Sequence, residues 1–408
     1  MPRNPSNVST QRRRIAELAK RSAQMSFTSL AHLLDLDWFR EAYQRTRKDG
    51  AAGVDGQTSR DYAANLEGNL RSLLDRVKAG HYQAPPVRCV HIPKGSGGET
   101  RPIGIPTFED KVLQRAVVML LEPIYEQDFS NDSYGFRPGR SAHQALQSLW
   151  EQATRQRGGW ILEVDISKFF DNLDHRHLRE LLRRRVRDGV ILRLIDKWLK
   201  AGVLEEGRRS YPSSGSPQGG VISPLLANVY LHYVLDQWFA QEVQPRLRGR
   251  AFLVRYADDF VAGFAQEQDA RRVMDVLPKR FGRYGLTVHP TKTRLVGFTR
   301  PHITGSQDCR PDTFDFLGFT HYWGRSYRGG WVIKRKTASS RLRRGIESIR
   351  TWCRDYRHQP LGEQHAQLSL KLRGHYAYYG VTNNQRSLQA FREQVHRLWC
   401  KWLSRRNR

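Results

Sequence analysis

The run AFLVRYADDFVAGF, residues 251–264, constrains the fold more than any other segment. Two apolar stretches parted by an acidic pair cannot both stay in water. The shortest way to bury them is side by side, as an antiparallel hairpin with Asp258 and Asp259 at its turn. A second segment, WILEVDI from Trp160, has the apolar density of a strand buried on both faces, and it carries Asp165 near its end. One carboxylate at a strand end and a pair at the turn of an adjacent hairpin could converge on one point.

The rest of the chain mixes helices and strands without a regular βαβ rhythm, which predicts an α+β fold. Helical patterns run from Thr28 to about Lys48, with Asp37 able to cap the second part, and over 61–79, 109–126 and His177–Lys200; another starts near Pro224 and ends near Phe239. VRCVHIPK alternates like a strand before the tight turn GSGGE, so a further hairpin is expected there. Tyr211–Val221 reads as a loop rich in Ser, Gly and Pro.

Charge narrows the partners. Lys and Arg number 68 against 40 Asp and Glu, a net +28 over 408 residues, which favours a polyanion, nucleic acid before anionic membrane. No apolar run is long enough to span a bilayer, and the basic N-terminal segment lacks a secretory apolar stretch, so an intracellular, soluble protein is expected. Residues 321–408 hold 20 Lys and Arg against 4 Asp and Glu, a basic and largely helical module. Cys89, Cys309, Cys353 and Cys400 form no CxxC pair and no Cys/His cluster at zinc-finger spacing, so reduced thiols and no structural metal are expected.

Three converging carboxylates suit hard divalent cations, magnesium above all, and two such ions are what nucleotidyl transfer requires. YADD alone would also suit a plain turn. The surrounding segments alter that reading. WILEVDISKFFDNLDH, SSGSPQGGVISPLLANVYL, VRYADDFVAGF, GLTVHPTKT and FDFLGF follow RPIGIPTFEDKVLQRAV and SYGFRPGRSAHQAL in one order. Their order and spacing resemble the blocks of group II intron-encoded reverse transcriptases and maturases, from KDGAAGVDG onward.

That resemblance implies a right-hand polymerase, with an N-terminal helical extension over 1–85, fingers and palm over 86–320 and a basic helical thumb/maturase domain over 321–408. It implies RNA-directed DNA synthesis with two Mg2+, for which Mn2+ can substitute, held by Asp165, Asp258, Asp259 and the main-chain carbonyl of Ile166. Phe170 would exclude a 2′-hydroxyl. Lys94 and Arg101 would close on the triphosphate, Gln218 would support the template base and nucleotide, and Lys292 would assist pyrophosphate departure. Arg137 and Arg140 are candidates for template phosphates, and Arg341, Arg343 and Arg344 for RNA. Surface charge or a basic turn is the plain alternative for each of these cations.

The implied partners are an RNA template, a DNA or RNA primer, dNTPs and a group II intron RNA, in a bacterial-type cytoplasmic protein associated with the nucleoid. The chain ends at LSRRNR without HNH-type residues or zinc-spaced cysteines, so an intrinsic endonuclease is not expected. Two other readings share these motifs: a domesticated reverse transcriptase in repair or phage defence, and an RNA-binding splicing factor that keeps the polymerase fold as a scaffold.

Overall fold

The computed structural model describes residues 5–93, 100–205, 208–210, 215, 219–301 and 312–406. The N-terminal part is helical: α1 (Pro5–Arg21), α2 (Leu36–Arg45), α3 (Ser59–Ala64) and α4 (Leu66–Lys78). The two-part helical stretch expected from Thr28 is cut down in its first part. A short 3-10 turn at Ala31–Leu33 precedes α2, and Asp35, not Asp37, caps it, accepting from the Trp38 amide at 2.8 Å.

A hairpin follows, β1 (Val87–Pro93) and β2 (Thr100–Ile105), then α5 (Phe108–Asp128) and α6 (Ala142–Arg155). Next come β3 (Trp160–Val164), α7 (His175–Arg183), α8 (Gly189–Leu199), β4 (Val203–Glu205) and β5 (Arg208–Ser210). α9 (Ser223–Leu231) continues into π-helical turns at His232–Asp236 and Phe239–Val243. After it lie β6 (Ala251–Tyr256), β7 (Asp259–Phe264), α10 (Glu267–Gly282) and β8 (Arg294–Gly297), then β9 (Phe314–Phe316), β10 (Phe319–Arg325) and β11 (Trp331–Thr337), and finally α11 (Ser339–Asp355), α12 (Leu361–Tyr379) and α13 (Gln385–Leu403).

Among the described residues three sheets form, with strand orders β2-β1-β4-β5, β6-β7-β3-β8 and β11-β10-β9. The second is central and is covered on both faces, which is why its strands read as unbroken apolar runs. Leu162, Leu253, Phe260 and Ala262 point into a large core shared with α5, α8 and α9. Ile161, Val254 and Val261 point into another, with Ala145, Leu146 and Leu149 of α6 and Phe319 and Ile333 of the third sheet.

The N-terminal helices are bound into the large core. Trp38 is fully buried and donates its indole N–H to the Ala116 carbonyl at 2.9 Å. Arg185, 2% exposed, reaches the Ala19, Ser22 and Met25 carbonyls and pairs with Asp128. Buried Asp110 of α5 accepts from Trp198 of α8 at 2.8 Å and from Tyr82.

At the C-terminal end the structure departs from the expected boundary. The break at 320/321 falls inside β10, whose Phe319 and Trp323 pack in the core beneath the central sheet. The purely helical part starts at Ser339, where Ile349, Cys353, Leu368, Phe391, Val395 and Leu398 close a small core of their own.

Candidate active site

β3 and β7 run antiparallel with Val164 opposite Phe260, so the next residue outward, Asp165, lies level with Asp259. Tyr256 and Asp259 close the β6–β7 turn, which holds Ala257 and Asp258. The carboxylates lie close enough for Asp165 to act on the proton affinity of both Asp258 and Asp259. Asp259 is pushed up to about 6, first by withdrawal from water and then by the charges of Asp258 and Asp165; Arg341 and Arg101 oppose the shift. Asp258 is also raised, by burial first, with Asp165 adding to it and Arg101 and Arg255 opposing it. Oxygen-only ligands under mutual repulsion are the donor set a hard divalent cation relieves.

The backbone around Asp165 is set by the 287–289 segment. Ser167 donates to the Thr287 carbonyl and His289 to the Asp165 carbonyl, both at 2.8 Å. Those bonds flank the Ile166–Val288 bridge and turn Ile166's own carbonyl to the opposite edge, the β7 side. Lys292 lies beside the cluster, its Nζ 3.0 Å from Asp165 Oδ2. Phe169 is buried against Tyr230, whereas Phe170 is half-buried and meets Phe169 edge-on at 5.2 Å. Arg101 is exposed on β2. Lys94 and Gln218 lie outside the described residues. Gly219, beside the latter, has φ 116° and lies so near the Gly104 carbonyl of β2 that a Cβ would come within 2.5 Å of it.

Residues 92–321 match the family described as reverse transcriptase (RNA-dependent DNA polymerase). The chain belongs to the reverse transcriptase family. Relatives of this reverse transcriptase-family chain include protein YkfC of Escherichia coli, 38% identical over 351 residues, which cover 76% of this chain and 87% of YkfC. The group II intron-encoded protein LtrA of Lactococcus lactis is 40% identical over 231 residues, covering 56% of this chain and 38% of LtrA. Nuclear intron maturase 1 of Arabidopsis thaliana is 31% identical over 114 residues, 28% of this chain and 16% of that protein. The matches place the chain among group II intron reverse transcriptases and maturases.

The acidic turn is held by residues that sequence reasoning missed. Ala257 has φ 57°, a left-handed conformation that a non-glycine residue adopts only when its surroundings impose it. Arg255, fully buried, imposes it by donating to the Ala257 carbonyl at 2.9 Å and to Asn228 Oδ1 at 3.0 Å, while gripping Asp236 through two bonds of 2.7 and 2.6 Å. From the other side, residues 132–135 clamp the hairpin. Tyr134 donates to the Arg255 carbonyl and Arg255 to the Asp132 carbonyl, both at 2.9 Å. Gly135 comes so close that a Cβ would sit 2.3 Å from the Ala257 nitrogen. The arginine in RYADD was a visible signal, but its partners lie far away in sequence.

The same clamp corrects one expectation. Arg137 is enclosed within the protein: its side chain is 3% exposed, pairs with Glu126 at 3.0 Å and donates to the Ser130 and Ser133 carbonyls. It is part of the scaffold that places residues 132–135. Arg140 is partly exposed and bonded to Asn131. Arg341, at the start of α11, reaches the carboxylate cluster electrostatically, whereas Arg343 and Arg344 are exposed on the same helix. Among the described residues no helix is long and apolar enough to cross a membrane.

Proposed function

We propose that the chain is an active RNA-directed DNA polymerase that extends a primer 3′-hydroxyl with deoxynucleotides on an RNA template. The observation that carries the reading is the convergence of Asp165, Asp258 and Asp259 at one end of the central sheet. Two magnesium ions, when bound, activate the attacking hydroxyl and neutralise charge on the departing pyrophosphate. Asp165, Asp258, Asp259 and the Ile166 carbonyl would hold them. In this reading the β6–β7 sheet is the palm, the β1–β2 hairpin belongs to the fingers, and α11–α13 form the thumb.

The other groups divide the work of positioning. Lys292, already paired with Asp165, supplies a cation beside the site of bond cleavage. Arg101 offers a planar fork to triphosphate oxygens, together with Lys94. Half-buried Phe170 would underlie the sugar and reject a 2′-hydroxyl, and Gln218 would support the nucleotide. The exposed arginines of α11 favour a second role, gripping intron RNA during splicing, as the names of the matched relatives suggest. Arg140 is a further candidate for template phosphate.

With poly(rA), oligo(dT) and magnesium, dTTP should be incorporated and UTP should not. Asp258→Asn should abolish incorporation, and a mutant that polymerises normally would refute the assignment. Intron splicing that persists in Asp258→Asn would show RNA binding to be separable from polymerisation.

A further inference from the structure

The face of the β1–β2 hairpin turned away from Arg101 carries a cluster that polymerisation does not use. Residues directly opposed in an antiparallel pair share a face. Arg101, opposite Ile92, therefore lies on one face, while His91, opposite Pro102, and Cys89, opposite Gly104, lie on the other. β4 runs parallel to β1 with Arg88 level with Leu204, which brings Glu205 beside Cys89. There Cys89 Sγ is 3.8 Å from His91 Nε2, and that nitrogen is 2.5 Å from Glu205 Oε1. The three atoms all lie within 4.8 Å of one another. His91 Nδ1 is 3.0 Å from Thr100 Oγ1, a contact that orients the ring so that Nε2 faces the sulfur and the carboxylate.

We propose that Cys89, His91 and Glu205 form a zinc site on the back of this hairpin, separate from the aspartate cluster. Tetrahedral zinc with bonds of about 2.3 Å to sulfur and about 2.0 Å to nitrogen and oxygen sets S and N about 3.6 Å apart, and N and O about 3.3 Å. The cysteine–histidine spacing already meets this. Glu205 need swing out by less than about 1 Å, and its side chain is 50% exposed and able to do so. Magnesium and calcium prefer oxygen ligands throughout, whereas a thiolate, an imidazole and one carboxylate suit zinc. Three protein ligands leave the fourth position to water, so the ion would exchange.

Burial and Glu205 hold the Cys89 thiol above its ordinary pKa, so binding would release the thiol proton to solvent and leave a zinc-bound thiolate. The ion would clip β1 to β4, whose ladder among the described residues consists of Val87–Val203 and Arg88–Leu204, and so brace the hairpin that carries Arg101. Sequence reading missed the cluster because Cys-x-His is not a zinc-finger spacing and the third ligand lies 114 residues from His91.

Cobalt reports the site without reference to catalysis. Metal-free full-length protein titrated with Co2+ should develop a thiolate-to-cobalt charge-transfer band and four-coordinate visible bands, both displaced by zinc; the oxygen-only aspartate cluster produces neither. Cys89→Ser and His91→Ala should abolish the band. Glu205→Gln should weaken cobalt binding by at least about tenfold, the loss that removing even an outer partner brings. Cys400→Ser should keep the band, although Cys400 Sγ lies 3.8 Å from His396 Nε2 on α13. Absence of the band, or its survival in Cys89→Ser, would leave only a His91–Glu205 hydrogen bond and overturn the site. Circular dichroism checks that the variants fold. Should a strand variant unfold, Glu205→Gln at its exposed position still decides the matter: unchanged cobalt affinity there would overturn the site.

Discussion

At the scale of single residues, two side chains beside the aspartates make separable predictions. If Phe170 lies beneath the sugar, Phe170→Val should lower discrimination between dTTP and UTP by about 10- to 200-fold, the range a small change in pocket volume commands. The ratio of kcat/KM values for the two nucleotides measures it. Arg255 acts through others. Its removal leaves Asp236, 2% exposed, as an unpaired buried charge, so Arg255→Ala should destabilise the fold by about 3–5 kcal/mol in denaturant unfolding. The double variant Arg255→Met, Asp236→Leu removes that charge and should recover most of the stability. The Ala257 carbonyl stays unheld, so kcat should remain low with KM little changed.

At the scale of elements, strand β10 shows how burial couples stability to pH. His321 is 0% exposed and stacks on Phe314 at 4.7 Å, and burial pushes its pKa down to about 3. The unfolded chain, with a histidine near 6.5, binds more protons than the folded one between those values. Stability is therefore full above about pH 6.5 and declines as pH falls toward 3, by up to about 1.4 kcal/mol per pH unit from this group. Unfolding midpoints at pH 7 and pH 5 should differ less in His321→Phe than in the parent. The strands of the central sheet were legible from sequence because burial on both faces leaves an unbroken apolar run. The α2 cap was misplaced because Asp35 and Asp37 are equally good formers, and only the turn at Ala31–Leu33 selects between them.

At the scale of the whole molecule, charge is distributed unevenly: the C-terminal helices carry exposed arginines, while Arg137, Arg185 and Arg255 are buried and paired within the fold. If α11 grips RNA through phosphates, affinity should fall steeply with salt. Replacing Arg343 and Arg344 together by alanine should reduce the slope of log K against log salt by about 0.7–0.9 per lost contact. Filter binding at several potassium chloride concentrations measures it, and an unchanged slope would remove these residues from the interface.

The sequence by itself determined the α+β class, the acidic hairpin and the strand that faces it, because apolar runs must be buried and carboxylates at their ends are carried along. It also placed the chain in its family through the order of its motifs. Only the tertiary structure decided which cations are free. Arg137 and Arg140 are three residues apart in one loop, yet the first is enclosed by Glu126 and two carbonyls while the second stays partly exposed. The grip of Arg255 on Ala257 and the meeting of Cys89 and His91 with Glu205 were equally hidden. Each depends on groups distant in sequence, and no local pattern records which strands will lie side by side.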